Sequence, residues 1–522
     1  MQHSKIIEIM KKNKFKLHYI WALSSLVFVF SCTKLEIKPT DSIFAASGSG
    51  AFSGVSSPAA SLDDLYNNIK GQIENQANLF ALNEVTTDEM LVPTRGTDWG
   101  DNGVWRDLHA QTWSPIHTQV LDNWNNLNQT IYNAGLIIDT RSSSSAQEVA
   151  EAKFLRAFAM FWVMDMYGQV PFRTPDEGPD VNPMVMSRAE AFDFIAQDLN
   201  DALPNLPNTA WSGATDRASK ASANFLLAKI YLNKHIYVGA ATADAADMTK
   251  VVNYVDAIAA SGYALKTGYF DIFKPEVNSE IIFYTHSSVG NRIWDGLHYN
   301  QGVPDNTGGG WNGFSTLADF YDKFEGSATS NEPGNGQEER RGFVPKDGSH
   351  LGIGFGFLVG QQYGPTGLPL DARAGKKLIY TKDFPGLIGN SDVNGIRIIK
   401  WHPENGSFAG FESVFRFADA YLMKAEAIMR GGTGNATELS MVNNLRTIRS
   451  ASALSSVTEQ TMLDERGREL YKEFWRRNDL VRFGKFTEAW GMKEASDASR
   501  NVFPIPATAL LSNPNLVQNS GY

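Results

Sequence analysis

The chain of 522 residues contains one cysteine, Cys32. An internal disulfide bond is therefore excluded, and so are a thiolate metal cluster and a cysteine nucleophile in the body of the chain. Glycine and proline are also close to average usage, at 45 and 21 residues. This composition excludes collagen-like, disordered and disulfide-stapled chains and indicates an ordinary globular protein.

Basic charge is scarce. The chain has 47 Lys and Arg against 57 Asp and Glu, which gives a formal charge of −10. Five lysines and one glutamate lie before residue 32, so loss of that segment removes +4 and leaves about −14. An acidic body repels phosphate backbones, and nucleic acid is therefore not expected as a partner.

Known catalytic motifs are absent from the sequence. It has no Gly-x-Ser-x-Gly, no phosphate-binding Gly-x4-Gly-Lys-Ser/Thr and no His-Glu-x-x-His. Asp98–Gly103 resembles a calcium loop, but Gly100 stands at a ligand position and His109 replaces the closing Glu. Calcium is therefore unsupported, and we expect no cofactor. Glycosidase carboxylate pairs are invisible in sequence because their separation is spatial, so a surface glycosidase or peptidase remains an alternative.

The N-terminus predicts export and lipid attachment. An eleven-residue apolar run, Ile20–Phe30, follows five lysines and ends at Ser31-Cys32. Crossing a bilayer takes about 20 residues, so this run is a signal core rather than a membrane span. We predict a signal peptide at 1–31 and acyl chains such as palmitate on Cys32, followed by a flexible tether over 32–61. An ordinary secretory signal with an incidental cysteine is the alternative.

The remaining residues, 62–522, predict one domain of paired helices with loop-rich inserts. Ser114 and Pro115 form a start signal for a helix that continues to Asp139. Three helices rich in alanine and aromatics, at 150–167, 220–237 and 415–430, each precede a partner, at 188–203, 248–261 and 439–450. Small residues every three or four positions allow close packing, as in tetratricopeptide hairpins. The helical parts are placed at about 62–82, 114–262 and 413–484, and the inserts at 83–113 and 286–412.

The densest charge cluster spans Leu463–Arg477. Its Glu and Arg residues recur at i,i+3 and i,i+4, which is typical of an amphipathic helix whose charges pair with one another and with neighbouring hairpins. We predict a structural role for it rather than a catalytic or anion-binding one.

The same region carries a family signature. It reads E-R-G-R-E-L-Y-K-E from Glu465 to Glu473, and the chain closes with Phe503–Pro506 and Asn513–Tyr522. A Leu155-Arg156-Ala157 helix also leads into Tyr167-Gly168 and Val170-Pro171-Phe172. Together with the lipoprotein-like signal, these features resemble the SusD/RagB family of Bacteroidetes outer-membrane nutrient-binding lipoproteins. Ser520, where proline is commoner, and Phe30 before the lipidation site are small departures.

The resemblance implies a mostly-α fold, a right-handed superhelix of tetratricopeptide-like hairpins with an irregular ligand-binding region. It also implies a lipid-anchored protein on the outside of the outer membrane, acting as a lid on a SusC-like TonB-dependent transporter. Family members capture oligosaccharides, or in some cases peptides, and have no catalytic activity. We therefore expect a glycan-binding lipoprotein, and an oligopeptide-binding lipoprotein is the alternative.

Aromatic residues in the inserts are the candidates for contact with a glycan. Sugar rings stack their C–H faces on Trp and Tyr, and their hydroxyls hydrogen-bond polar side chains. Trp124, Trp162 and Trp475 fall in periodic helices and are assigned to the core, as is Trp113. The candidate binding residues are Arg95, Trp99, Asp101, Asn102 and Trp105 in the first insert and Trp294, Tyr299 and Trp311 in the second. Packing beneath a long loop is the alternative for each tryptophan.

The net charge favours neutral glucans or fructans over anionic glycans, because like charges repel. Arg95, Arg106 and Arg292 are the basic residues that could reverse this preference locally.

Overall fold

The computed structural model describes residues 52–522 except 179, 214–215, 287–288, 303–307, 329 and 407–409. The predicted signal peptide, Cys32 and most of the predicted tether lie outside these residues. Phe52–Tyr522 forms one compact unit. None of the helices in the described part combines the length and the apolar character needed to cross a bilayer.

The fold is mostly α-helical, as predicted. The α-helices are α1 Pro58–Glu74, α2 Leu79–Glu84, α3 Val104–Ala110, α4 Thr118–Ile138, α5 Ala146–Tyr167, α6 Arg188–Ala202, α7 Lys220–Tyr237, α8 Ala245–Ala260, α9 Gly290–Trp294, α10 Ala318–Tyr321, α11 Phe417–Met429, α12 Glu438–Ile448, α13 Glu459–Leu470, α14 Arg476–Arg482 and α15 Ala507–Ser512.

Short antiparallel strands join the loops. They are β1 Met90–Leu91, β2 Gln169–Phe172, β3 Met184–Ser187, β4 Ile281–His286, β5 Ser315–Thr316, β6 Gly342–Phe343, β7 Phe355–Leu358, β8 Gly360–Gln361, β9 Ile379–Tyr380, β10 Arg397–Ile399 and β11 Phe411–Arg416. The pairs are β1 with β5, β2 with β3, β4 with β11 and β8 with β9, and β7 lies between β6 and β10.

Helical hairpins form the scaffold, and local signals define their ends. α4 packs on α5, α5 on α6, α7 on α8, and α11 on both α8 and α12. Capping boxes at Ser145, Ser187, Ser219, Thr437 and Thr458 begin α5, α6, α7, α12 and α13. Each box satisfies backbone N–H groups that a helix start would otherwise leave without partners.

The centre of the scaffold is aromatic. From Phe154 to Tyr167 every residue of α5 is buried, which is typical of a helix surrounded by other elements. The ring of Phe225 on α7 stacks on Phe415 of β11 at 4.2 Å, and Trp162 stacks on Trp475 at 5.2 Å. The core assignment of Trp113, Trp124, Trp162 and Trp475 is confirmed, since all four are buried.

Two predicted boundaries were wrong. The first predicted helix begins at Thr118 with His117 as its cap, because Ser114 and His117 instead form a turn in which the His117 N–H donates to the Ser114 carbonyl at 3.0 Å. The predicted tether also ends earlier than Ser61. α1 starts at Pro58, and the Val55 N–H already donates to Ser142 Oγ at 3.0 Å.

The second insert leaves and rejoins the scaffold at one place. β4 and β11 pair antiparallel, with His286 opposite Phe411. The long segment between these two residues is therefore closed at its base by backbone hydrogen bonds. Its internal strands are only two to four residues long, which agrees with the lack of periodicity in its sequence.

The charged segment 463–477 is buried and is not one helix, which corrects the prediction of an amphipathic helix. α13 ends at Leu470, and Lys472 and Phe474 have left-handed backbones with φ of 62° and 73° before α14 begins. The predicted pairing of these charges is confirmed, but the charges pair in the interior rather than along a solvated face. A buried network replaces the expected i,i+4 surface pairs.

Glu469 is the centre of that network. Its carboxylate accepts from Arg416 at 2.8 Å and from Arg449 at 2.9 Å, and it lies 3.3 Å from Arg340. Arg416 also pairs with Glu280 and Glu473, at 2.7 and 2.9 Å. The side chains of this group are almost completely buried. The guanidinium groups hold the pKa of Glu469 well below its usual range against the effect of burial.

We expect Arg416→Met to destabilise the protein by about 3–5 kcal/mol, because it removes one guanidinium partner from each of three buried carboxylates, Glu280, Glu469 and Glu473. The urea midpoint, followed by tryptophan fluorescence, measures the loss. The control Lys377→Gln removes an exposed pair with Asp371, 2.7 Å long, and should cost less than about 1 kcal/mol. Equal stability of the two variants would contradict the structural weight given to the network.

A second buried acidic pair, Glu84 and Glu89, holds the left-handed turn. Glu89 accepts from the Lys472 N–H at 2.5 Å, and Glu84 accepts from the Phe474 N–H at 2.6 Å. Burial raises the pKa of Glu89 to about 7, and burial together with Glu89 raises the pKa of Glu84 well above its usual value. The two carboxyl groups therefore retain a proton under mildly acidic conditions.

A carboxyl group that binds its proton more tightly in the folded state stabilises the fold below its ordinary pKa of about 4.3. That contribution is lost as the pH rises through the folded pKa of about 7. Glu89→Gln replaces the protonated carboxyl group with a neutral amide that does not titrate. The free energy of unfolding of the wild type should therefore fall relative to that of this variant between about pH 5 and 8. Urea unfolding of both proteins across this range makes the comparison. Parallel pH profiles would contradict the assignment.

Candidate ligand-binding site

An open cleft of about 770 Å³ lies between the two inserts. One side is the loop that leads into α3, and the other is the segment that follows α9. The lining residues are Gln76, Thr97, Asp98, Trp99, Asp101, Trp105, Tyr299, Gly308, Gly309, Gly310 and Trp311. Aromatic rings and polar side chains therefore share one concave surface, which is the usual form of a small-molecule site.

The first side of the cleft has an unusual backbone. Trp99, Asp101 and Asn102 all have positive φ, at 58°, 34° and 52°. Non-glycine residues adopt this conformation at a cost of about 1–3 kcal/mol, and such residues cluster at binding sites. A 3-10 turn at Asp101–Gly103 connects the loop to α3, and Trp105 Nε1 donates to Asp101 Oδ2 at 2.7 Å across it.

The opposite side is held by backbone hydrogen bonds to the segment after α9. The Trp311 N–H donates to the Trp294 carbonyl at 2.8 Å, and the Gly310 N–H donates to the His298 carbonyl at 3.0 Å. A Cβ at Gly310 would lie 2.0 Å from the Leu297 carbonyl oxygen, so only glycine permits this approach. In this arrangement Trp311 has 37 % of its surface exposed.

Trp99 joins the two sides. Its Nε1 donates to the Trp311 carbonyl at 2.8 Å, and its ring packs edge-on against Trp105 and Phe314. Gly313 lies directly against the indole, because a Cβ there would be 2.4 Å from Trp99 Cε2. The relative position of the cleft's tryptophans is therefore fixed before any ligand arrives.

A polar wall lies at one end of the cleft. Asp98 Oδ2 accepts from the Tyr299 hydroxyl at 2.6 Å and from Arg373 at 2.8 Å, and the Arg373 guanidinium lies 3.9 Å above the Tyr299 ring. These hydrogen bonds lower the pKa of Asp98, while burial and Asp98 raise the pKa of Tyr299. The wall is thus an ionised carboxylate fixed between a phenol and a guanidinium.

Five of the eight candidate residues lie on this cleft: Trp99, Asp101, Trp105, Tyr299 and Trp311. Asn102 is exposed beside it but is not part of its lining. Contact of these residues with a ligand stays a prediction. The lining adds Thr97, Asp98 and Gln76, and of these Asp98 had a sequence signal, since it precedes Trp99 directly.

Trp294 does not lie on the cleft, which corrects its selection as a candidate. Only 1 % of its surface is exposed, and it belongs to the main hydrophobic core. Arg95 is also buried, at 2 % exposure, and donates to Ser315 Oγ and to the Ser391 carbonyl. Arg292 is buried against Glu412 at 2.8 Å, so it offers no charge to a ligand.

The calcium-like loop is organised by other contacts. The Asp98 carboxylate is held by Tyr299 and Arg373, and Asp101 accepts from Trp105. Over the described ranges, no group of three or more His, Cys, Asp or Glu side chains is placed to hold a metal ion.

Comparison with known proteins decides the family. Residues 401–522 match the sequence model of the SusD family, and residues 51–232 match the model described as "Starch-binding associating with outer membrane". The starch-binding protein SusD of Bacteroides thetaiotaomicron is 29 % identical, over 87 % of this chain and 88 % of its own length. This chain belongs to the SusD/RagB family.

Solved SusD-like structures share the fold. The structure of a laminarin-binding SusD-like protein superimposes on 90 % of this chain over 100 % of its own length, with a TM-score of 0.64 and 22 % identity. Surface glycan-binding protein A from Bacteroides thetaiotaomicron, solved with laminarihexaose, covers 88 % of this chain and 98 % of its own, with a TM-score of 0.65 and 18 % identity. At these identities the likeness is one of fold.

We expect Gly313→Ala to displace the Trp99 ring and to lower the free energy of unfolding by about 1–3 kcal/mol, which is typical of overpacking. The near-ultraviolet circular dichroism of the tryptophans should change with it. Gly71→Ala is the matched control, because nothing lies within 4 Å of a Cβ at that position in α1. An unchanged spectrum for Gly313→Ala would contradict the fixed position of Trp99.

Proposed function

We propose that this SusD/RagB member captures glycans at the cell surface in the cleft between its two inserts. The observation that carries the proposal is the joint lining by Trp99, Tyr299 and Trp311, which are at least partly exposed, beside Asp98 and Asp101. Aromatic faces complement the C–H faces of sugar rings, and the carboxylates accept hydrogen bonds from sugar hydroxyls. The starch-binding and laminarin-binding relatives support the same class of ligand.

The electrostatics favour capture over cleavage. A glycosidase needs a carboxylic acid that retains its proton, and such an acid has a raised pKa. Asp98 has the opposite character, because Tyr299 and Arg373 lower its pKa. This carboxylate is therefore suited to accept hydrogen bonds and unsuited to protonate a leaving group.

The proposal includes delivery to a transporter. The SusD/RagB membership and the family description "associating with outer membrane" support a place at the outer membrane. We infer that acyl chains on Cys32, which lies outside the described residues, anchor the protein on the outer face. From there it would pass oligosaccharide to a SusC-like TonB-dependent transporter.

Affinity electrophoresis tests the binding function. The chain from Thr33 onward, which contains the whole compact unit, is run in gels that hold laminarin, starch, inulin or no polysaccharide. We expect retardation by at least one polymer. Trp311→Ala should weaken binding by about 2 kcal/mol, or roughly thirtyfold, as loss of a central aromatic contact does.

Trp211→Ala is the matched control, because Trp211 is also 37 % exposed and lies outside the cleft. It should migrate like the wild type. Retardation that survives Trp311→Ala would place the glycan site elsewhere. No retardation in any gel, with quenching of tryptophan fluorescence by oligopeptides, would favour the oligopeptide alternative. Release of sugars from any polymer would contradict the absence of catalysis.

A further inference from the structure

A second cavity, of about 410 Å³, adjoins the aromatic cleft and shares Thr97 and Asp98 with it. Arg95, Arg373, Lys376 and Asp392 are among its other lining residues. A ligand that fills the cleft can therefore extend past the Asp98–Arg373 wall into this neighbouring space.

Positive charge is in excess around the second cavity. Arg373 is matched by two carboxylates, at 2.8 Å from Asp98 and 3.1 Å from Asp392. Lys376 is exposed and forms no ion pair among the described residues, whereas its neighbour Lys377 pairs with Asp371. One free ammonium group is thus available at the rim.

Two further cations are buried at this place in the fold, and one of them, Arg95, is among the residues that line the cavity. The buried Arg95 and Arg397 each donate to Ser315 Oγ at 2.8 Å, and their other partners are carbonyl oxygens and the Asn312 side chain. Within the described part of the chain neither guanidinium has a carboxylate at ion-pair distance, and Arg95 Nε has no hydrogen-bond partner.

An unmatched buried charge is costly. Removing an ion from water carries a large free-energy penalty unless an opposite charge compensates it. Burial and the neighbouring Arg397 hold the pKa of Arg95 well below its usual range, and burial lowers the pKa of Arg397 to about 10. Their field acts through low-dielectric protein on the adjoining cavity, where an anion would meet little screening.

We propose that this second cavity binds the negatively charged substituent, carboxylate or sulfate, of an acidic sugar unit in a glycan whose other rings occupy the aromatic cleft. The inference rests on the proposed function and names its substrate class. It replaces the neutral glucan or fructan expected from net charge, because a ligand responds to the local field rather than to the sum over the surface. Lys376 and Arg373 would contact the anion, and Arg95 and Arg397 would act through their field.

Matched polymers test the proposal. Laminarin and starch are each used unmodified, with the C6 hydroxyls oxidised to carboxylates, and with sulfate esters at equal density. The chain from Thr33 onward is compared in affinity gels at low and high salt. We expect at least one charged form to bind about tenfold or more tightly than its unmodified parent, as a charge-assisted hydrogen bond provides. The charged form with the larger gain in affinity shows whether the cavity prefers a carboxylate or a sulfate.

Two lysine variants locate the effect. Lys376→Gln should reduce the ratio between charged and unmodified polymer by about threefold or more, in line with loss of one charged contact. Lys377→Gln, one residue away and outside the cavity, should leave the ratio unchanged. High salt should reduce the ratio in the wild type.

Equal or weaker binding of every charged form would overturn the inference. A gain in affinity for charged polymer that Lys376→Gln leaves intact, or that Lys377→Gln abolishes equally, would also overturn it. The anionic group would then bind outside the second cavity. If unmodified polymer binds and Trp311→Ala weakens it, the proposed function stands even when the charged forms gain nothing. Binding of no polymer in any form would contradict both.

Discussion

The buried ion pairs around Glu469 are the constraint on which the rest of the structure depends. Three arginines from distant parts of the chain converge on this carboxylate: Arg340 in the second insert, Arg416 at the end of β11 and Arg449 after α12. None of these charges can be left alone in the interior without a large penalty. The insert is therefore held against the helical scaffold in one arrangement, even though it has little regular structure of its own.

The network continues toward the ligand cleft. Lys472, three residues after Glu469, donates to Asp295 Oδ1 at 2.8 Å, and the Asp295 carbonyl accepts from the N–H groups of Gly313 and Phe314. These two residues lie beside the Trp99 ring. The backbone from Glu469 to Lys472, followed by these hydrogen bonds, thus connects the buried charges to the aromatic surface. Rigid positioning limits the ordering cost when a flexible glycan binds.

Local features were predictable from sequence. α7 spans Lys220–Tyr237 as predicted, because its cap and its apolar pattern are encoded within a few residues of each end. The two aromatic loops were also visible, since Trp99 and Trp311 stand among Gly, Asn and Asp residues with no helical period. Short-range chemistry determines both kinds of feature.

Long-range contacts were not predictable in the same way. Trp294 resembles Trp311 in its sequence context, yet one is buried and the other exposed. Arg292 is neutralised by Glu412, which lies 120 residues away. Arg373, which completes the polar wall, meets Asp98 across 275 residues. The pattern within one segment does not predict such long-range contacts, because they depend on how the insert folds back on the scaffold.

The most direct test of this account is a crystal structure of the protein with the oligosaccharide that retards it most strongly. We expect sugar rings against the exposed face of Trp311 and beside Trp99 and Tyr299. We also expect the Glu469 ion pairs and the Trp99–Trp311 hydrogen bond to keep the same geometry with and without the ligand. A ligand bound away from these rings, or a cleft that forms only on binding, would contradict it.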